Sequence, residues 1–206
     1  MAQTLLALGD SYTAGEGLAP ESSYPVLLAD RLRDAGYGLY IPEIIAKTGW
    51  TTGELLSNLT DHPPVLDIYP AVLLLIGVNN QYRDQPTDVY IEELSRLSDL
   101  CLQKSGNRAE HVVLVSIPDY SVTPFASEKN PSKISEELTI YNRIIEEKAT
   151  EYGFHFVDIT GISRLAQNDP GLLTADLLHP SEKMYHMWVE QILPVVESAI
   201  QAQSGK

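Results

Sequence analysis

Five short, nearly unbroken apolar runs, separated by longer stretches of helical periodicity, constrain this chain more than any other feature of its sequence. They span residues 4–9, 41–47, 71–78, 111–117 and 154–158. A strand with one face in water alternates apolar and polar residues. Runs this continuous in Leu, Ile and Val read as strands covered on both faces by helices. The stretches between them carry helix punctuation. Residues 22–35 offer Ser22 or Ser23 as a cap, Pro25 in the first turn and Gly36 just past the end. Over residues 87–105, Ile91, Leu94, Leu97 and Cys101 recur at helical spacing before Gly106, and over 132–152 Ile134, Leu138, Tyr141 and Ile145 do so before Gly153. A last helix begins near Ser181, with Pro194 expected to kink or divide it. Such alternation predicts an α/β fold with a mostly parallel sheet, right-handed crossovers and a ligand site beyond the carboxyl ends of the strands.

With 206 residues, 44% hydrophobic and 20% charged, and no repeat or linker, one domain over residues 1–206 accounts for the chain. The 28 acidic and 14 basic residues give a formal charge of −14. That balance excludes nucleic acid as a partner and anchoring to an anionic membrane, since both need positive surface. No apolar stretch reaches the roughly 18 to 20 residues of a membrane span, so no integral membrane association is expected. The N-terminal residues show no basic leader region, from which a cytoplasmic location is expected. The single cysteine, Cys101, allows no internal disulfide and no cysteine-based metal site, and its place on an apolar helix face reads as core packing.

Residues carrying chemistry cluster at the expected strand ends. Gly9-Asp10-Ser11-Tyr12 puts a serine at a strand-to-loop turn, where a hydroxyl can stand above the sheet; the same tetrapeptide also serves as a capped turn. Asp176-Leu177-Leu178-His179-Pro180 places a carboxylate three residues before an imidazole. In one helix-like turn the carboxylate can accept the ring N–H, leaving the other nitrogen to take a proton from a serine. The alternative is a local cap beside a surface histidine. Pro180 suits the first helical position after this loop. Gly49, in Thr48-Gly49-Trp50-Thr51-Thr52, can bring its backbone N–H close to a ligand, and Asn79, in Gly77-Val78-Asn79-Asn80, can offer its side-chain NH2; singly, each is ordinary turn chemistry.

Taken in order, these four blocks resemble the SGNH hydrolases, also called GDSL-type esterases and lipases, along essentially the whole chain. The resemblance implies a three-layer α/β/α flavodoxin-like sandwich with a five-stranded parallel sheet in the order 2-1-3-4-5. It implies Ser11 as nucleophile, His179 as general base and acid, Asp176 as its orienting carboxylate, and an oxyanion hole from the Ser11 and Gly49 N–H groups and the Asn79 side chain. It also implies a small-molecule ester substrate and no cofactor or metal. Small esters or lysophospholipid-type esters are the expected substrates. Thioesters, acetylated carbohydrates and a non-catalytic binding role on the same fold remain alternatives. Two departures stand out. Asn80 occupies a position that is often Asp in the family, which leaves Arg83 without an acidic partner there, and Tyr12 follows the serine where Leu is common.

The remaining candidates are weaker. His62, His111, His155 and His186 show no metal-ligand spacing; His155 reads as an edge-strand residue and Asp158 as a cap for the next turn. The loop over 118–131 follows the fourth run, and its Tyr120 and Phe125, with Trp50 and Tyr82, either line a substrate pocket or simply pack together. Residues 9–30, 48–82 and 165–182 contain no Lys or Arg. A site mouth built from them is expected to be neutral to negative and to disfavour coenzyme A thioesters.

Overall fold

The computed structural model describes residues 4–38 and 42–204. The chain opens with β1 (Leu6–Gly9), α1 (Ser11–Ala14), α2 (Tyr24–Asp34), β2 (Glu43–Ala46) and α3 (Thr52–Asp61). It continues with β3 (Val72–Leu75), α4 (Val78–Tyr82), α5 (Thr87–Lys104), β4 (Val112–Val115), α6 (Pro131–Tyr152), β5 (His155–Val157), α7 (Thr160–Ser163) and α8 (Glu182–Ser204). All pairings are parallel, in the order β2-β1-β3-β4-β5. Central strands β1, β3 and β4 are buried at every residue, while the edges β2 and β5 are mostly half-buried. The order and the continuous apolar runs share one cause: right-handed crossovers put helices on both faces. α2 packs on α8, whereas α5 contacts α3 and α6. Fully buried Tyr24, Tyr185 and Trp188 lie together in the core, the last two edge-on with ring centroids 5.0 Å apart. Each such ring contributes about 2–3 kcal/mol by leaving water.

Each expected run contains a strand, but every strand is shorter than its run; Ile41, the first residue of the second run, lies outside the described residues. The third run shows why. Gly77 has φ +131, and a Cβ there would lie 2.8 Å from the Tyr90 hydroxyl and 2.9 Å from Ile117 Cδ1. The chain therefore turns sharply before Val78, which starts α4 instead of ending β3. Gly9 is level with Ala46 on one side and Leu75 on the other, so the ends of β2 and β3 flank the turn after β1.

Helix boundaries fall within two residues of expectation for α2, α5, α6 and α8, with three differences inside them. Neither Ser22 nor Ser23 caps α2 with its side chain: Ser23 Oγ donates to the Pro20 carbonyl and Ser22 Oγ to Glu182. Ile91 is exposed, and only Leu94, Leu97 and Cys101 of its periodic set reach the core. Pro194 lies inside α8 without dividing it. The hydrogen bond it forgoes belongs to Glu190, on the exposed side where water can replace it, while buried Trp188, Val189, Ile192 and Val196 hold both halves to the core. Helix α3 lies outside the expected set, although Thr51-x-x-Glu54 carries its start signal. The Thr51 hydroxyl accepts the Glu54 N–H at 3.3 Å, and a Glu54 carboxylate oxygen accepts the Thr51 N–H at 2.8 Å, forming a capping box.

Candidate active site

Ser11 is the first residue of α1, so the expected strand-to-loop turn is a strand-to-helix turn. Asp10 occupies the N-cap and accepts the Tyr12 N–H at 3.0 Å. As the first helical residue, Ser11 has an N–H that no carbonyl within α1 accepts, and no acceptor for it or for the side-chain hydroxyl occurs among the described residues. Asp10 is completely buried, and its Oδ2 has no hydrogen-bond partner among the described residues. Burial pushes its carboxyl up to about 7, against the opposing pull of the Tyr12 and Gly77 N–H groups.

Gly49 follows β2 with φ +88, a backbone shape that residues with a Cβ adopt at a cost. Arg83 Nη2 donates to its carbonyl, and its N–H has no acceptor among the described residues. Asn79, in α4, donates through Nδ2 to the Trp50 carbonyl at 3.0 Å, which leaves the second hydrogen of that amide for another acceptor. Asn80 joins the same two loops from beneath. It accepts the Thr52 N–H at 3.1 Å and donates to Thr52 Oγ1 at 2.7 Å and Gln85 Oε1 at 2.9 Å. Its amide thus supplies both donor and acceptor, which a carboxylate in this place could not do. Arg83 has an acidic partner after all, Glu54 in the first turn of α3, at 3.2 Å.

His179 and Asp176 lie on a tight turn, not a helical one. Leu177 has φ +60, and the Thr174 N–H donates to the His179 carbonyl at 2.8 Å to close the base of the loop. A non-glycine residue held at positive φ is strained, and the dense bonding around it maintains the shape. Pro180 does not start the helix. It pairs with Leu173 in an isolated bridge, and α8 begins at Glu182. His179 Nδ1 lies 2.6 Å from Asp176 Oδ2. Asp176 Oδ1 accepts the Thr174 hydroxyl at 2.7 Å and the Leu178 and His179 N–H groups, each at 2.9 Å. Partial burial raises the Asp176 pKa, but these hydrogen bonds, that of the imidazole foremost, outweigh it and hold the carboxyl well below its ordinary range. The Tyr12 ring sits 5.6 Å from the imidazole, centroid to centroid, and the Tyr185 hydroxyl anchors the Tyr12 carbonyl at 2.9 Å.

Ser11, Gly49, Asn79 and His179 line one cavity of about 190 Å³. Its apolar wall comes from Val78, Tyr82, Tyr120, Phe125 and Leu178. Three of the four expected pocket aromatics are therefore present. Trp50 is not among them: it is partly buried against the core and meets the site only through its carbonyl. Tyr12, Thr48, Val78 and Leu178 join the lining without having been singled out by sequence reasoning. Leu178 sits between the two predicted residues Asp176 and His179, and Val78 beside Asn79, so adjacency to a motif was the available signal. Among the described residues no Lys or Arg lines the cavity, but two cations stand at its rim. Arg83 reaches the Gly49 carbonyl, and the loop over 118–131 brings Lys129 over the rings of Tyr82 and Phe125. That loop lies outside the stretches from which the charge of the mouth is inferred.

The other candidates lie apart from this cavity. Cys101 is fully buried in the core, where burial pushes its thiol up to about 12. Asp158 accepts the Thr160 N–H and the Ser116 hydroxyl, capping the turn after β5, and His155 is half-buried on that edge strand. Among the described residues no three His, Cys, Asp or Glu side chains are grouped so as to hold a metal ion, and no helix is long and apolar enough to cross a membrane.

A model of the GDSL-like Lipase/Acylhydrolase family matches residues 7–187. An arylesterase of Vibrio mimicus is 34% identical over 123 residues, which are 57% of this chain and 58% of that protein. This match thus spans less than two thirds of the arylesterase. The esterase TesA of Pseudomonas aeruginosa is 24% identical over 203 residues, 95% of this chain and 89% of that protein. Among solved structures, one of TesA superimposes with a TM-score of 0.67 at 20% identity, covering 96% of this chain and 99% of that one. A variant of Axe2, an acetyl xylan esterase from Geobacillus stearothermophilus, gives 0.70 at 20% identity with 94% of each chain covered. These two superpositions establish the shared fold.

Proposed function

The chain belongs to the GDSL-like lipase/acylhydrolase family, and from that premise we propose that it is a carboxylic ester hydrolase working through an acyl-enzyme on Ser11, within one domain spanning residues 1–206. The observation that carries the reading is the 2.6 Å contact between His179 Nδ1 and Asp176 Oδ2, on an imidazole that shares a cavity with Ser11. With Nδ1 donating its proton to a carboxylate held ionised, Nε2 is the basic nitrogen. It removes the Ser11 proton as Oγ attacks the acyl carbon. The Ser11 N–H, the Gly49 N–H and the remaining Asn79 hydrogen are the donors for the developing oxyanion. The tetrahedral intermediate collapses as His179 returns the proton to the leaving alcohol. Water, deprotonated by the same imidazole, then releases the acid.

The cavity supports small acyl groups. At about 190 Å³ it is smaller than the roughly 300–1,000 Å³ usual for drug-sized ligands. A long lysophospholipid chain would have to extend through the mouth. A second reading, an acetylated carbohydrate, is favoured by the exposed Tyr82 and Phe125 rings, which offer a sugar a stacking surface beside an acetyl-sized cavity. Fluorophosphonate labelling and a p-nitrophenyl ester series from acetate to decanoate test the proposal. We expect labelling and turnover that both vanish in Ser11→Ala, with activity highest for the shorter chains. Neither labelling nor turnover in the wild type would end the enzyme reading. Release of acetate from acetyl-xylooligosaccharides at a higher kcat/KM than from p-nitrophenyl acetate would select the second substrate class.

A further inference from the structure

Lys129 lies near the end of the loop that follows β4. Its ammonium is 4.8 Å from the Phe125 ring centroid, 5.1 Å from that of Tyr82 and 3.5 Å from the Tyr82 hydroxyl. Both rings line the cavity of Ser11 and His179. On its other side Tyr82 borders an adjoining groove of about 390 Å³, which Lys129 also lines. The two carboxylates of that groove, Asp84 and Glu137, are both engaged by Lys133, at 3.4 and 3.3 Å. Lys129 has no ion pair among the described residues, although acidic residues outnumber basic ones 28 to 14 in this chain. One ammonium hydrogen is donated to the Tyr82 hydroxyl, and contact with the ring faces holds the group in place without using up the others, which stay available to an acceptor.

We propose that Lys129 determines substrate choice, and that the enzyme prefers esters carrying an anionic oxygen group, such as a carboxylate, on the part of the molecule lying across Tyr82 and Phe125. The inference rests on the ester-hydrolase reading of the same cavity. The physical case is one of local against global charge. A surface of net charge −14 repels anions at long range. Without Lys129, a carboxylate at this rim would meet aromatic faces, whose quadrupoles also repel it. One ammonium fixed over both rings reverses the sign at that spot and supplies a charged hydrogen bond next to low-dielectric walls.

Two matched pairs test this on the intact protein: 4-acetoxybenzoate against methyl 4-acetoxybenzoate, with the charge on the alcohol, and monoethyl against diethyl succinate, with the charge on the acyl side. In Lys129→Met, kcat/KM for the anionic member of at least one pair should fall about three- to tenfold, as for a rim ion pair, while its neutral partner changes less than twofold. Lys129→Arg should keep the preference and Lys129→Glu should lower it further. Sodium chloride at 0.5 M should erode the wild-type preference, which a purely structural role for the lysine would not show. If the wild type hydrolyses both neutral esters but the Lys129 variants change anionic and neutral members by equal factors, the Lys129 assignment is wrong and the esterase reading stands. If the wild type hydrolyses neither member of either pair, both fall together.

Discussion

The substitution Asp10→Asn should make the fold progressively more stable than wild type as the pH rises. The carboxyl is completely buried beside Ser11, and burial lifts its pKa from 3.8 to about 7. A folded-state pKa above the unfolded one means that the fold holds its proton more tightly than the open chain does. The associated stability is fully present below about pH 4, declines as the pH rises, and is gone once the pH passes about 7. The gap corresponds to about 4 kcal/mol in total. An asparagine keeps the oxygen that accepts the Tyr12 N–H, is an equally good N-cap and has nothing to ionise. Constant costs of the substitution, such as a weakened contact with the Gly77 N–H, shift the comparison equally at every pH. The assay is urea unfolding of both proteins from pH 4.5 to 8, reading the difference in unfolding free energy. That difference should move by about 3 kcal/mol in favour of the variant between the two ends, with most of the change below pH 7 and a plateau above it. A difference constant within about 0.5 kcal/mol would refute the reasoning and mean that the carboxylate is compensated by groups that satisfy it as well as water does.

Three further outcomes follow from the site. Asp176→Asn should leave the fold intact yet lower kcat roughly 10⁴-fold, because an amide in place of the carboxylate favours the wrong imidazole tautomer; steady-state kinetics with a short p-nitrophenyl ester checks it, and a loss under tenfold would remove Asp176 from its assigned role. Asn79→Ala removes one of the proposed oxyanion donors and also the tie to the Trp50 carbonyl, so kcat should drop about 10²- to 10³-fold with little change in KM. Phe125→Ala should move the preferred acyl chain longer by about two carbons, as each added methylene gains favourable contact in the enlarged cavity; an unchanged chain-length profile would show that Phe125 merely packs against Tyr82 and Tyr120.

What can be foreseen follows physical range. Hydrophobic periodicity is local, so the five strands, the long helices and their layered arrangement are readable from the order of residues alone. So is the order of the four motif blocks, three of which follow strand ends where the pattern breaks, while the block of Asp176 and His179 lies on the turn ahead of α8. Boundaries are less legible. β3 stops at Leu75 because Gly77 must pass Tyr90 and Ile117, residues distant in the chain. Pro194 leaves α8 undivided because the neighbouring buried residues outweigh one lost hydrogen bond on the wet face. α3 escapes the periodicity, although its capping box stands in plain view at Thr51 and Glu54.

The sequence by itself determined the fold class and pointed to Ser11, Gly49, Asn79 and His179, which meet in one cavity, since hydrophobic burial and motif chemistry are encoded in short patterns. Tertiary structure alone decided the environment of each residue. It turned Trp50 away, put Tyr12 against the imidazole and gave Arg83 a partner in Glu54. It also laid Lys129 across the mouth of a strongly acidic protein. Burial, hydrogen-bond partners and local charge depend on which distant segments come within a few ångströms of one another. Composition fixes the sum of the charges, but only the packing of the loops fixes where a single ammonium stands relative to Ser11.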